Sequence, residues 1–345
     1  MNTTPIPTVD MSTFSCELHK STTPTAAHLK AARDLVATLH RFGFVNITGH
    51  GLSNQEITDM FAWSKKMFDL PFQEKMIAPH PDGPIPHRGY SMVGREKVYA
   101  RDDIKGDSVG VQEGGKELKE SYEIGSEQDD QQTNIWLPED VLPGFRPYMS
   151  NLYERLANLG EAVLNAIAVG LSMSSEEHDA LMQMCSRQNC HLRLLHYPAI
   201  PKESLQNEGV SRLTPHTDWS SFTILFQHQS DELELLDPKT KQYLRASPPE
   251  GALTLNVSDM LQRFTNGYFI SALHRVPVPS ANDVTDTGVP ARYSVPFFVA
   301  PHPSQLVQTL PRFVSAEKPA RYEPIRFQDY DALAAKYTYR EGQEE

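Results

Sequence analysis

His216-Thr217-Asp218, followed by His274 in Leu273-His274-Arg275-Val276 and then by Arg292-Tyr293-Ser294, is the set of residues whose types and spacing can do chemistry in this chain. Two imidazoles and one carboxylate fill three adjacent corners of an octahedral metal and leave three open, an arrangement suited to Fe(II) and dioxygen. An arginine presents a planar fork of donors that matches a carboxylate, and a serine hydroxyl adds one more. The pattern predicts a site for iron, an organic acid and dioxygen.

His-x-Asp alone is a weak signal. With 13 histidines and 44 acidic residues, roughly one or two such triplets arise by chance at ordinary composition. His80-Pro81-Asp82 is such a copy, set among prolines and glycines that punctuate a loop, and is expected to be solvated. The copy at His216 precedes Ser221 to Gln227, rich in β-branched and aromatic residues. Residues i and i+2 of a strand share a face, so His216 and Asp218 are expected to converge. His274 lies 274 − 218 = 56 residues further on, far enough for several strands to intervene. Arg292 and Ser294 repeat the i, i+2 logic. Taken singly, Arg292 reads as a surface ion pair worth under about 1 kcal/mol. Its place after two histidines and an aspartate is what gives it weight.

The elements that must position these residues divide near residue 180, with a mainly helical region over 1–180 and a strand-rich region over 181–345. Thr25 to His40 carries helical spacing, Ser53-Asn54-Gln55-Glu56 is a capping-box start, and Leu152, Leu156, Leu159, Val163 and Ile167 form an apolar stripe that reads as core packing. Val9 and Phe44 to Ile47 are expected to add an edge to the sheet. From about 188 onward come short alternating runs: His191 to His196, Ser221 to Gln227, Leu233 to Leu236, Gly251 to Val257, Phe269 to Val276 and Arg292 to Val299. Such spacing predicts a sandwich or jelly roll in a mixed α+β chain. Lys97 to Lys119, Gly- and charge-rich, is a candidate lid, and Pro277 to Ala291 reads as a connecting loop.

Composition narrows the function further. A net charge of −12 and the lack of any long Lys/Arg run argue against nucleic acid polymers and anionic membranes as partners. Three cysteines, Cys16, Cys185 and Cys190, make no disulfide framework, and the last two read as small buried hydrophobes. No apolar stretch is long enough to span a bilayer, so a soluble cytoplasmic protein is expected.

Beyond the metal pattern, Ile6-Pro7-Thr8-Val9-Asp10, Gly43 to Gly51, Phe68-Asp69-Leu70-Pro71, Leu192 to Pro198, Pro215 to Asp218 and Ser258 to Gly267 occur in order along nearly the whole chain. In these residues the chain resembles the iron(II)/2-oxoglutarate-dependent dioxygenases of the isopenicillin N synthase-like superfamily. A narrower likeness to fungal members such as thymine dioxygenase runs through Arg88-Gly89-Tyr90-Ser91, Gly94 to Val98, Glu120 to Gly125 and Leu192-Arg193-Leu194-Leu195-His196-Tyr197-Pro198. That run marks a branch and does not name a substrate, and Trp219 stands where thymine dioxygenase has tyrosine.

The resemblance implies a jelly-roll (double-stranded β-helix) core with the N-terminal helical region packed on it. It implies that His216, Asp218 and His274 hold iron and that Tyr197, Arg292 and Ser294 hold 2-oxoglutarate, with dioxygen as the second co-substrate and ascorbate as a candidate reductant. Many plant members carry asparagine at the position of Leu195, so Tyr197 is expected to bear more of the co-substrate contact here. Oxidative decarboxylation then yields succinate, carbon dioxide and an oxidant that takes hydrogen from a substrate carbon, giving hydroxylation or desaturation.

Arg193, Trp219 and Phe298 are each expected to lie on a strand that also supplies one of these contacts and are the candidate substrate-facing residues. A buried Arg193 needs an anionic or carbonyl partner, and a flat carbonyl- or carboxylate-bearing metabolite would satisfy all three. His196 alternates to the opposite face and reads as a packed or hydrogen-bonded histidine. Several readings remain beside a specialised-metabolite dioxygenase: a nucleobase hydroxylase, an isopenicillin N synthase-type oxidase that needs no 2-oxoglutarate, a zinc hydrolase on the same ligands, and a noncatalytic small-molecule receptor.

Overall fold

The computed structural model describes residues 6–14, 24–82, 87–95, 118–203, 212–228, 233–277, 285 and 288–338. Its first half runs β1 (Thr8–Asp10), α1 (Ala26–Phe42), β2 (Phe44–Thr48), α2 (Asn54–Phe68), α3 (Phe72–Lys75), β3 (Gly89–Ser91), β4 (Glu120–Ile124), α4 (Phe145–Gly170) and α5 (Ser175–Met182). The second half begins β5 (His191–Tyr197), β6 (Ile200–Pro201), β7 (Leu213–His216), β8 (Phe222–Gln227), β9 (Glu234–Leu236), β10 (Tyr243–Arg245), β11 (Leu253–Val257) and α6 (Asp259–Phe264). It ends β12 (His274–Val276), β13 (Gly288–Val289), β14 (Arg292–Val299), β15 (Leu306–Val307), β16 (Ile325–Arg326) and α7 (Phe327–Thr338).

The helices form where capping and periodicity ask for them. Thr25 caps α1 by accepting the His28 N–H, and Gly43 ends it in the left-handed region at φ 71°. A Cβ on Gly43 would sit 2.3 Å from the Ile270 carbonyl oxygen, so only glycine allows that approach. The capping box at Ser53 and Glu56 opens α2 as its spacing predicts. The stripe from Leu152 to Ile167 is buried along α4 and packs it on α1 and on the large sheet. Each such leucine or isoleucine contributes about 1.5–3 kcal/mol by leaving water.

Two sheets enclose the interior: an eight-stranded one in the order β1-β2-β11-β8-β14-β5-β4-β3, and a four-stranded one in the order β10-β9-β12-β7. This is the jelly roll expected of the strand spacing. Val9 and Phe44 to Ile47 do supply one edge of the large sheet, and β4 and β3 extend the other. That second edge is hidden in the sequence because Ser91 and Glu120 are separated by the long polar insertion.

Two expectations are corrected. The run Phe269 to Val276 pairs as a strand only over His274–Val276, because Asn266 and Gly267 turn the chain in the left-handed region and Ser271 N–H is taken by Gln262 Oε1 rather than by a ladder. His80 is buried rather than solvated, its backbone N–H bound to the Tyr90 carbonyl, whereas Asp82 is exposed. The two side chains therefore diverge and make no chelate. Most of Lys97 to Lys119 and of Pro277 to Ala291, together with Cys16, lies outside the described residues. No helix among the described residues is long and apolar enough to cross a membrane.

Candidate active site

His216 ends β7 and His274 begins β12, and the two are direct cross-strand partners in the small sheet. Their rings lie 4.2 Å apart. Asp218 reaches them from outside any strand, which corrects the i, i+2 expectation: β7 stops at His216, and the chain crosses toward the large sheet before β8 begins at Phe222. What fixes Asp218 is its surroundings. Its Oδ2 accepts hydrogen bonds from Thr223 Oγ1 at 2.5 Å and Asn256 Nδ2 at 2.7 Å, and its backbone carbonyl accepts the Asp259 N–H.

That leaves Oδ1, which lies 3.7 Å from both His216 Nε2 and His274 Nε2. Such separations exceed a hydrogen bond and suit three groups sharing one small cation. The tautomers agree. His216 Nδ1 donates to the Thr214 carbonyl at 2.8 Å and His274 Nδ1 to the Ala272 carbonyl at 3.2 Å, so both Nε2 lone pairs face the common point. Burial, helped by His274, pushes the His216 imidazole down to about 3, which keeps it neutral as a ligand must be. Burial opposes ionisation of Asp218, yet the two imidazoles and its two side-chain donors hold it below the usual carboxylate range. Two neutral imidazoles and one carboxylate fit Fe(II).

Arg292 and Ser294 point the same way from β14, both buried, with Nη1 and Oγ 3.3 Å apart. Tyr197 on β5 is the register partner of Arg292, and the guanidinium lies 5.0 Å from the centre of its ring. Gln227 Oε1 accepts a further hydrogen bond from Arg292 at 3.3 Å. Tyr197, Arg292, Ser294, the three metal-type ligands, Leu195, Arg193, Trp219 and Phe298 all line one cavity of about 190 Å³. That is the scale of a small molecule.

The sheet register orders the cavity. Thr223, Phe298 and His191 are neighbours in one row across β8, β14 and β5, and Gln227, Ser294 and Leu195 in another. The first row adjoins Asp218 through Thr223, and the second adjoins Arg292. Phe298 lies four residues beyond Ser294 on β14, about 13 Å of strand.

Arg193 has the anionic partner that a buried guanidinium requires, but the protein supplies it. Glu123, its register partner on β4, is fully buried, ion-paired to Arg193 and 2.5 Å from His191 Nε2. Burial opposes the charge of Glu123, and Arg193 and His191 hold it well below the carboxylate range. The need for a substrate carboxylate at Arg193 therefore disappears. His196 faces away, its Nδ1 donating to Glu120 Oε1 at 2.7 Å and its ring stacked on Tyr293.

Sequence reading passes over His87, Glu123, His191, Asn256 and Asp331, all of which line this cavity. Asn256 in Leu253-Thr254-Leu255-Asn256-Val257, a polar residue in an apolar strand, carries a usable signal. Asp331 on an amphipathic helix carries none.

Comparison with known proteins agrees with this geometry. Residues 6–139 match the family model for the non-haem dioxygenase in morphine synthesis N-terminal region, and residues 184–301 match that of the 2OG-Fe(II) oxygenase superfamily. The chain is 37% identical over 285 residues to the 2-oxoglutarate-dependent dioxygenase frbA of a Dothideomycetidae species, covering 81% of this chain and 83% of that one. It is 36% identical to the proline hydroxylase buaE of Petromyces alliaceus over 88% of this chain and 92% of the relative. Among solved structures, the full-length thymine hydroxylase of Neurospora crassa in complex with alpha-KG and thymine superposes with a TM-score of 0.80 at 30% identity, covering 96% of each chain.

Proposed function

Because the chain belongs to the 2OG-Fe(II) oxygenase superfamily and is an Fe(II)- and 2-oxoglutarate-dependent dioxygenase acting on a small molecule, we propose a role for each residue of its site. His216, Asp218 and His274 hold the iron. Tyr197, Arg292 and Ser294 hold 2-oxoglutarate, the arginine fork and serine hydroxyl gripping its distal carboxylate while Tyr197 backs the guanidinium. Arg193, Trp219 and Phe298 face the substrate. The region 1–180 buttresses the sheet, and 181–345 carries the chemistry.

The observation that carries this assignment is the pairing of a three-ligand cluster with a buried Arg-x-Ser grip in one cavity. Bound iron and 2-oxoglutarate supply, with dioxygen, an oxidant that removes hydrogen from carbon and leave succinate and carbon dioxide. The chain's own part is placement. The Phe298 row adjoins Asp218, so a flat substrate resting on Phe298 and Trp219 presents a carbon to the metal side of the cavity. The buried, largely apolar walls around it keep water away from that carbon.

The substrate is a small metabolite, and specialised metabolism is the proposed setting. The relatives named above act on proline in one case and bind thymine in another, so family membership does not choose between them. A nucleobase hydroxylase is the second reading, favoured by the superposition on the Neurospora crassa enzyme; Trp219, wider than tyrosine, weighs against simple transfer of that substrate. Free thiols at Cys185 and Cys190 are in keeping with a cytoplasmic, reducing setting, where ascorbate is the candidate reductant.

Anaerobic absorption spectroscopy tests the assignment. Adding Fe(II) and then 2-oxoglutarate to the apoprotein is expected to raise a metal-to-ligand charge-transfer band that Arg292→Ala weakens. Tight iron binding with no such band overturns the 2-oxoglutarate roles.

A further inference from the structure

The cavity end away from Arg292 carries several charged groups, and its two arginines are each ion-paired. Arg193 is neutralised by Glu123, and Arg88 by Asp129 at 3.0 Å. Asp331, one turn into α7, lines the same end. Its nearest oppositely chargeable neighbour among the described residues is His87, whose Nε2 is 4.0 Å from Oδ1, beyond hydrogen-bond reach. Only 20% of the Asp331 side chain is accessible.

A largely buried carboxyl without a donor among the described residues is costly, and burial raises its pKa here while His87 opposes the rise only in part. Its position is nevertheless fixed. The adjacent Tyr330 is buried and its hydroxyl donates to Asp259 Oδ2 at 2.7 Å, tying α7 to α6, and Phe327 is buried one turn earlier. A carboxyl held in place, lining the cavity and lacking a hydrogen-bonded cation among the described residues, matches a ligand that brings one.

Aromatic rings surround the same end. His87 lies edge-on to His191 at 5.7 Å and 6.5 Å from Trp219, and Phe298 is 6.0 Å from His191. Ring faces attract a cation, and most strongly where water is excluded. With Arg193 and Arg88 already neutralised, the local balance at this end favours positive charge on the incoming molecule.

We propose that Asp331 recognises a protonated amine on the substrate, with Trp219 and Phe298 flanking it, so that this dioxygenase oxidises an amine-bearing small molecule at a carbon near its basic nitrogen. The inference rests on the proposed function above and goes further by naming the substrate's chemical class.

The test is calorimetric titration of the anaerobic Fe(II)- and 2-oxoglutarate-loaded protein with matched pairs that differ only in the nitrogen: L-proline against cyclopentanecarboxylate, and L-tyrosine against 3-(4-hydroxyphenyl)propanoate. The amine of at least one pair is expected to bind about tenfold or more tighter than its partner, the scale of one charge-assisted hydrogen bond. Asp331→Asn, which keeps the side-chain shape, and Asp331→Leu should both abolish that preference, while Asp329→Asn on the exposed face of the same helix retains it. Equal binding within both pairs, including no binding by any member, overturns the inference, as does a preference that survives in both Asp331 variants. The charge-transfer band separates the two levels: a wild-type protein that shows the band but no amine preference refutes only the role of Asp331, whereas loss of the band refutes the reading beneath it.

Discussion

Asn256 donates its side-chain amide to Asp218 Oδ2 at 2.7 Å across 38 residues of chain, and so orients the carboxylate that stands between His216 and His274. Thr223 donates to the same oxygen. Oδ1 is thereby directed at the two imidazoles. Partners of metal ligands typically set metal affinity by about 10–100-fold. Asn256→Leu and Thr223→Val should each weaken Fe(II) binding by about that range while the protein stays folded. Competition titration against a chelator of known affinity measures it, and unchanged affinity in both variants would show that Asp218 is oriented by its backbone alone.

Arg292 pairs its charge with a geometry that lysine lacks. Its fork meets Ser294, Gln227 and the face of Tyr197 at once. Arg292→Lys retains the charge but loses the paired donors, so 2-oxoglutarate should bind about tenfold more weakly. Arg292→Ala leaves the distal carboxylate without a counter-charge, a loss of about 2–5 kcal/mol. Iron affinity without 2-oxoglutarate should be unchanged in both variants, which distinguishes loss of the grip from loss of the fold.

The difference between what is legible in the sequence and what is not follows from where each contact originates. The meeting of His216, Asp218, His274, Arg292 and Ser294 in one cavity is legible because the ligation and carboxylate binding proposed for them restrict both residue type and spacing. The helices are legible through Thr25, Ser53 and the α4 stripe, whose signals are local. Glu123 is not, because its partner lies 70 residues away and nothing local marks it as facing Arg193; Asn256 is marked only as a polar residue in an apolar strand, and its partner 38 residues away is not legible. Asp218 itself shows the limit of pattern reasoning. The i, i+2 rule places Asp218 beside the histidines for a reason that the structure replaces, since a crossing loop and two donors bring it there.

A second buried network governs acid stability. Glu120 accepts from Lys75 at 2.8 Å, Tyr90 at 2.5 Å and His196 at 2.7 Å, with all but about 5% of its surface buried. Burial raises its pKa, but the His196, Lys75 and Tyr90 hydrogen bonds outweigh this and leave it below the ordinary value of 4.5. A carboxylate whose pKa is depressed in the fold contributes stability in full above its unfolded value and loses it as pH falls through the folded one. Stability should therefore decline as pH drops below the ordinary glutamate range. Glu120→Gln should be less stable at neutral pH, by roughly 3–5 kcal/mol if Lys75 is left buried and unpaired, and should show a shallower acid limb in urea melts taken across that range.

Arg193 is ion-paired to Glu123 and lines the cavity, and a double-mutant cycle separates what each placement does. Glu123→Gln leaves the Arg193 guanidinium buried without its ion pair, and the cost should be about 3–5 kcal/mol. Arg193→Met alone leaves Glu123 with His191 as its remaining partner and should cost less. The double variant removes both charges, and its stability should exceed that of Glu123→Gln, giving an interaction energy well above the few tenths expected of independent sites. Substrate turnover need not recover with it. If Arg193 also touches substrate, the double variant regains stability yet keeps a raised KM; if Arg193 serves only to neutralise Glu123, KM returns with the fold. Urea unfolding and succinate-coupled kinetics on the same four proteins distinguish the two, and a double variant no more stable than Glu123→Gln would show that this ion pair does not govern the charge balance of the cavity wall.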